Sequence, residues 1–490
     1  MNIKKLYKKP FFSVLRDLAL KTNIHFYLVG GCIRDYLLKR PCNDYDFAVK
    51  GDAIAFAQQV SNVLKGSFVL LDKEKGSARV VLKLKKQLIN LDFNNLKAEN
   101  IHADLRMRDF TINAIAINLT ANDIEFIDPT NGLKDIEAKC IRIISETTFK
   151  DDPLRMLRAV RLSSELRFEL EKETWEAITK LKGLISNVSV ERITNEIYLT
   201  LAAKDSSHFI AQLDKSGLLE QIIPEIIPLK GLNQDTYHHL PVWEHSLATL
   251  GQLEGIVSSL DRLFPQWHTR IKRYLNQHIS GGHTRLVNLK FSCLLHDIGK
   301  SGTMTQEPSG RIKFIEHEVL GAKISPKIAN RLKLSTKEKM MMELVVKSHM
   351  RPGHLVQAPI LTNKALHRFF RDLDKEGVST LLLSLADRYA TIGPKVPPEN
   401  LHRHYQTVSL IIDKFYSPTP TITPPKILKG GEIMEYFGLK SGPIIGKLLK
   451  EIEEAYVDKK ITNKKEALEF IAGLLKDNCN SSAPLCFSHE

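Results

Sequence analysis

The chain has 490 residues, enough for roughly three domains at about 150 residues each. Lys and Arg number 70 against 56 Asp and Glu, a net charge of +14, with 43% hydrophobic and 26% charged residues. That balance excludes a disordered chain, a collagen and a membrane bundle, and no run of 18 apolar residues exists to span a bilayer. The basic excess favours a polyanionic partner without saying which. Six cysteines (Cys32, Cys42, Cys140, Cys293, Cys479, Cys486) include no C-x-x-C pair, so a disulfide framework or zinc ribbon is not expected and a reducing cytoplasm fits.

The N-terminus carries Lys4, Lys5, Lys8 and Lys9, but Arg16 and Asp17 interrupt the apolar stretch behind them. This predicts an amphipathic helix rather than a signal peptide. Short β-rich runs follow at Ile24–Val29, Tyr45–Val49, Phe68–Leu71, Arg79–Leu84 and Leu88–Phe93. Ile112–Leu119 fits either helix or strand. From Pro153 the apolar spacing becomes helical (Leu154, Leu157, Val160, Leu162, Leu166) and strand signals nearly vanish. Boundaries are expected near Pro224–Gly231 and at the prolines 418, 420, 424 and 425, before a helical segment Gly431–Leu475 and a polar end at Asn478–Glu490.

Three clusters in the first 161 residues carry chemistry. In the first, Gly30 and Gly31 separate a strand from a helix and let backbone approach a phosphate, with Arg34 able to add a charge-assisted contact. Asp44 and Asp46 follow, two apart on a strand, so both carboxylates leave one face. Side by side they repel unless divalent cations lie between them, which suits two Mg²⁺ activating a hydroxyl and neutralising a leaving pyrophosphate. The bland alternative is a turn and a solvated D-x-D. The second cluster is Arg106-Met107-Arg108-Asp109, then Asn113, for which a helix start capped by Asp109 is sufficient. In the third, Asp151-Asp152-Pro153 precedes Arg155, Arg158 and Arg161, three like charges at repelling spacing near a helix N-terminus. A triphosphate would offset that cost; pairing with Glu165, Glu169 or the aspartates would do so too.

In this order the three motifs resemble the class II nucleotidyltransferases, that is bacterial tRNA nucleotidyltransferases and their poly(A) polymerase relatives, over roughly residues 10–230. The resemblance implies that Gly31, Arg34 and Arg108 bind nucleotide and that Asp44 and Asp46 hold the metals and catalyse. It implies that Asp152 and Arg155 read the incoming base, with Arg158 and Arg161 completing the pocket. A carboxylate accepts from the exocyclic amine of cytosine or adenine, and a guanidinium donates to the neighbouring ring nitrogen. Uracil and guanine present a carbonyl and a ring N–H there instead. Two positions depart from the family: Asp151 stands where Glu is usual and Met107 where Arg is usual. Asp92 reads equally as a third carboxylate or a strand-end residue. Val190-Glu-Arg-Ile193 and Leu218-Leu…Pro224 are similar to the family's helical RNA-binding region.

A second constellation, His245, His296-Asp297, His317, His349 and Asp387, falls in the middle third. Neighbours on a helix diverge by about 100°, so His296 and Asp297 converge only on an ion lying between them. The ordered set resembles the HD superfamily of metal-dependent phosphohydrolases over 236–395. That implies a first metal on His245, His296, Asp297 and Asp387, a second on His317 and His349, and Lys300 and Arg388 toward phosphate. Residues 254–287 read as an insertion.

The expected fold is therefore α+β: an α/β nucleotidyltransferase head (10–145), a helical neck and RNA-binding region (146–235), an all-α HD domain (236–415), a C-terminal helical segment (426–476) and a tail (477–490). The expected function is template-independent addition of CMP and/or AMP from CTP and ATP to the tRNA 3′ end, with phosphohydrolase activity in the HD domain. Mg²⁺ is expected at the first site and a divalent transition metal at the second; tRNA is the partner, with neither DNA nor membrane. The alternatives are a poly(A) polymerase, a CC-only or A-only enzyme, an HD phosphohydrolase with an RNA-binding N-terminal half, or a non-catalytic RNA-binding protein.

Overall fold

The computed structural model describes residues 9–84, 87–121, 125–234, 239–280, 282–391, 397–418 and 424–481. Lys4, Lys5 and Lys8, part of the 418–425 boundary, and the end of the tail lie outside the described residues. Two compact units are present, 1–224 and 225–490.

The first unit opens with α1 (Pro10–Thr22), β1 (His25–Val29), α2 (Gly31–Leu37), β2 (Asp44–Lys50) and α3 (Ala53–Leu64). Then come β3 (Ser67–Asp72), β4 (Ser77–Leu84), β5 (Gln87–Asn95), α4 (Ile101–Arg106), β6 (Ala116–Asn118) and β7 (Phe126–Ile127). The strands form one seven-stranded sheet in the order β3-β4-β5-β2-β1-β6-β7. The ambiguous stretch Ile112–Leu119 divides: Thr111–Asn113 is a 3₁₀ turn and Ala116–Asn118 a strand.

Strand alternation decides where the chemistry sits. On β2, Tyr45, Phe47 and Val49 point one way and Asp44, Asp46 and Ala48 the other. The apolar face packs Phe26, Phe47, Phe56 and Phe93, all at 0% exposure, against each other. Phe47 stacks on Phe93 at 4.9 Å between centroids, and Phe56 meets Phe93 edge-on at 5.6 Å. On the opposite face Ile101 and Leu105 of α4 cluster with Ala48 and Val29, so only that end of β2 is covered. Asp44 is left exposed and Asp46 partly so. Apart from a short parallel pair, Cys140–Ile141 with Glu169–Leu170, the rest of the described residues in the unit form helices and loops. Leu154–Leu166 buries Leu154, Leu157, Val160 and Leu162, as the spacing predicts, and Val190–Ala202 packs beside it.

Among the described residues the second unit is helical apart from two short hairpins, His278–Ser280 with His283–Thr284 and Met304–Gln306 with Ile312–Phe314. Helices Val242–Ser258, Arg285–Leu295, Thr336–Ser348 and Glu376–Ala390 form its core. Beyond the prolines, helices Gly430–Phe437, Pro443–Val457 and Lys464–Ser481 share a core of Ile433, Leu448, Ile452 and Ile471. The carboxylate of Glu454, held down at about 2 by Arg368 and Arg371, ties that bundle to the helix Asn363–Leu373.

Phe93→Ala would empty the centre of the aromatic cluster and should destabilise the first unit by about 3–5 kcal/mol, measured by denaturant unfolding followed by near-UV dichroism.

Candidate active sites

The turn after β1 forces the first site into shape. Gly30 has φ +81°, and a Cβ there would lie 3.4 Å from Arg108 Nη1 and 3.7 Å from Asp46 Oδ2. Any side chain would be strained and would crowd a guanidinium and a carboxylate. The resemblance implies nucleotide contact at Gly31; a Cβ there would meet Arg34 Nη2 at 3.3 Å, so both glycines clear this corner.

Buried polar bonds join the three motifs. Arg34, 7% exposed, donates from Nη1 to Asn113 Oδ1 at 2.6 Å and pairs with Asp35 at 2.9 Å. Asn113 Nδ2 donates to Asp109 Oδ1 at 3.1 Å, and Arg158 pairs with Asp109 Oδ2 at 2.7 Å. Asp109 Oδ1 also accepts the Phe110 N–H at 2.9 Å. Burial pushes this carboxyl upward, but Arg158, the Asn113 amide and the Phe110 N–H outweigh it and hold Asp109 below the usual carboxylate range. Arg108 pairs with Asp104 of α4 at 3.1 Å.

At the edge of this network, antiparallel pairing sets Asp46 opposite Val29 and parallel pairing sets it beside Asp92 on β5. Asp44 accepts from Asn90 Nδ2 at 2.7 Å. Arg79 Nε and Nη2 donate to the two Asp92 oxygens at 2.6 and 2.7 Å. Burial first, then the charges of Asp92 and Asp44, push Asp46 up to about 6 against the opposing pull of Arg108 and Arg158. A carboxylate trio with this repulsion and all-oxygen donors fits a hard divalent cation. Asp92 is the residue the sequence left undecided. Its alternation with Leu91 and Phe93 set its face, but the β2–β5 register that puts it beside Asp46 is a long-range pairing.

The base-reading candidates lie at the start of the helix Leu154–Leu166. Asp152 Oδ2 accepts from Arg192 Nη2 at 2.8 Å. Arg155 donates to the Thr148 and Met107 carbonyls at 3.3 and 3.2 Å. Position 107 thus serves through its backbone, and its side chain is 53% exposed. Arg161 pairs with Glu196 at 2.6 Å and Glu165 at 2.7 Å. The sequence alternative of Glu165 pairing is present for this arginine, on the far side of Arg158 from Arg155.

The second site is assembled inside the second unit. His296 follows the end of the helix Arg285–Leu295, and His317 and His349 lie at the start and just past the end of helices His317–Arg331 and Thr336–Ser348. His245 and Asp387 come from the helices Val242–Ser258 and Glu376–Ala390. Two ligand sets, His245-His296-Asp297 and Asp297-His317-His349, meet at Asp297. Its Oδ2 lies 3.3 Å from His296 Nε2 and its Oδ1 3.3 Å from His317 Nε2, while His245 Nε2 is 2.8 Å from Asp387.

The tautomers follow from the backbone. Nδ1 of His296, His317 and His349 points at the Cys293, Phe314 and Val346 carbonyls at 2.7, 2.8 and 2.7 Å. The proton therefore sits on Nδ1, and the Nε2 lone pairs converge. His317 and His349 bring these lone pairs within 3.2 Å, which is repulsive without a cation. Burial, with His296 and His317 nearby, pushes His349 down to about 3, so it is a neutral donor at pH 7. This donor set fits divalent metal, with Asp297 common to both ligand groups.

A cavity of about 740 Å³ opens on Asp297, His317, His349 and Asp387. Lys300, Arg311, Lys313, Arg388 and Arg403 also line it. Arg403 belongs to the helix Pro398–Tyr416, which the sequence reading did not connect to the site.

The chain matches the family models described as Poly A polymerase head domain (26–142), RNA and SrmB-binding site of polymerase A (167–229), HD domain (242–392) and tRNA nucleotidyltransferase domain 2 (412–472). It is 31% identical to an A-adding tRNA nucleotidyltransferase of Deinococcus radiodurans over 91% of this chain and 94% of that protein. It is 29% identical to a CC-adding tRNA nucleotidyltransferase of Thermus thermophilus over 90% and 92% of the two chains. Its fold resembles the Thermotoga maritima CCA-adding enzyme complexed with tRNA, with a TM-score of 0.60 at 20% identity over 97% and 96% of the two chains.

The raised Asp46 carboxyl has a consequence for stability. Its unfolded value is about 4. Stability of the metal-free first unit should therefore fall as pH rises from about 4 through about 6 and level off above. Asp46→Asn removes the repulsion. In chelator at pH 8 it should melt about 2–4 °C higher than wild type, lose the stabilisation that Mg²⁺ gives wild type, and add no nucleotide, as read by calorimetry and a labelled-nucleotide assay.

The motifs buried around Asp109, the shared sheet and helical architecture and the near full-length similarity lead to one assignment: the chain belongs to the tRNA nucleotidyltransferase/poly(A) polymerase family and carries an HD domain.

Proposed function

We propose that the protein transfers CMP and/or AMP from CTP or ATP to the 3′ hydroxyl of tRNA without a nucleic-acid template. The observation that carries this is the Asp44–Asp46 face at the open end of the sheet, beside the Arg34–Asn113–Asp109–Arg158 network. Asp44 and Asp46 would hold Mg²⁺, which when bound would supply positive charge toward the triphosphate. The residues do the rest. Arg108 and Arg158 add positive charge beside Asp46, and Gly30 and Gly31 let the phosphates approach. Arg155 and Asp152 offer a donor and an acceptor to the base. Arg161 buttresses the helix that carries Arg155 and Arg158 through Glu196. The basic balance suits tRNA, and the expected place of action is the cytoplasm, where tRNA and nucleotides are found.

In the HD domain we propose hydrolysis of a phosphoester. His245, His296, Asp297 and Asp387 on one side, and His317 and His349 with Asp297 on the other, would hold metals that would supply Lewis acidity. Imidazole donors favour a transition metal there. Lys300 sits 2.7 Å from Asp297 Oδ2, and five cations in the cavity suit an anionic substrate.

The deciding assay gives purified protein tRNA lacking its 3′ end and each labelled triphosphate separately. Incorporation of CMP, AMP or both is expected, with UMP and GMP rejected. Incorporation of none, or of long poly(A), contradicts the reading. The double variant His296→Ala/Asp297→Ala should keep nucleotide addition within a few-fold of wild type, lose any tightly held transition metal by elemental analysis, and lose metal-stimulated phosphohydrolase activity.

A further inference from the structure

Arg192 stands outside the Asp151–Arg161 motif, yet its side chain pairs with the proposed base-reading carboxylate. Its Nη2 donates to Asp152 Oδ2 at 2.8 Å. The other oxygen, Oδ1, accepts the Leu154 N–H at 3.3 Å. The Arg155 N–H donates to the Asp152 carbonyl at 3.0 Å, while the Arg155 guanidinium is anchored to the Thr148 and Met107 carbonyls rather than to the Asp152 carboxylate. Asp152 is in extended backbone (φ −148°, ψ 99°) between two helices, and its own chain holds the side chain through the long Leu154 N–H bond.

Arg192 is well placed for that task. It lies on the first turn of the helix Val190–Ala202, whose Ile193, Ile197 and Tyr198 are buried. Four residues on, Glu196 holds Arg161 at 2.6 Å. One face of this helix therefore grips both ends of the arginine motif: a cation on Asp152 and an acid on Arg161, its last cation.

We propose that Arg192 is a positioning and specificity-determining residue for nucleotide choice. It fixes Asp152 as an acceptor, with Oδ1 turned to meet the exocyclic amine of cytosine or adenine. Held this way, the carboxylate cannot swing aside, so the carbonyl of uracil or guanine meets an acceptor and is repelled. A mobile Asp152 would retreat and tolerate that carbonyl. The side chains of Arg192 and Asp152 are 51% and 28% exposed, so the pair itself adds little to folding. Its value lies in orientation. This inference rests on the reading of Asp152 as base-recognising.

The test compares Arg192→Ala, Arg192→Lys and Asp152→Ala, each as full-length protein, in kcat/KM for CTP, ATP, UTP and GTP on tRNA lacking its 3′ end. Arg192→Ala should narrow the preference for the accepted over the rejected nucleotides by about ten- to a hundredfold, mainly through faster use of UTP and GTP. Arg192→Lys should restore part of it, and melting should stay within about 2 °C of wild type. In the Asp152→Ala background, Arg192→Ala should have no further effect on preference. If Arg192→Ala slows all four nucleotides equally, its role is structural and the inference is overturned. If Asp152→Ala shifts preference and Arg192→Ala does not, the positioning role alone fails. If Asp152→Ala leaves preference unchanged, the base-reading assignment fails and takes this inference with it.

Discussion

A buried carboxylate, Asp109, joins the parts of the first site. It is 8% exposed, and three donors from different places satisfy it: its neighbour's N–H, the Asn113 amide and the Arg158 guanidinium. Asn113 in turn fixes Arg34. An uncompensated carboxylate here would be costly, and removing one partner leaves the other charge stranded. The turn after β1, the 3₁₀ turn at Thr111–Asn113 and the arginine helix are thus bound to one another by a network that tolerates little rearrangement. Gly30 and Asp46 border that network, and so the nucleotide corner inherits its geometry.

The two sites differ in kind because their donors do. The sheet offers carboxylates on one face, and burial first, then the charges of Asp92 and Asp44, raises Asp46 to about 6, a cost that a hard cation would offset. The helical unit offers imidazoles whose tautomers are set by backbone carbonyls, with Asp297 between two ligand sets. In both, the fold creates a local electrostatic cost that a cation removes.

Much of this was legible in the sequence. The strand period placed Asp44 and Asp46 on one face, and the helical period marked the switch after Pro153. The order of His245, His296-Asp297, His317, His349 and Asp387 was sufficient to gather one centre, because each residue stands on or beside a core helix of the same unit. What was not legible depended on pairing between distant segments. Asp92 beside Asp46 needs the β2–β5 register. Arg192 on Asp152 and Glu196 on Arg161 need the packing of two helices. Arg403 in the HD cavity needs a helix that follows the last motif residue by more than ten positions. The Met107 departure was puzzling as a side chain and ordinary once its carbonyl was seen to be what Arg155 uses.

The central claim is that Asp109 couples the Gly30–Arg34 turn to the arginine helix as one binding unit. A double-mutant cycle of Asp109→Asn and Arg34→Gln, read by calorimetric ATP affinity in the full-length protein, tests it most directly. The residues do not touch, so independent sites would give effects that add within about 0.3–0.5 kcal/mol. The account predicts a coupling of about 1 kcal/mol or more, transmitted through Asn113. Additive losses, or ATP affinity unchanged in Asp109→Asn, would contradict it.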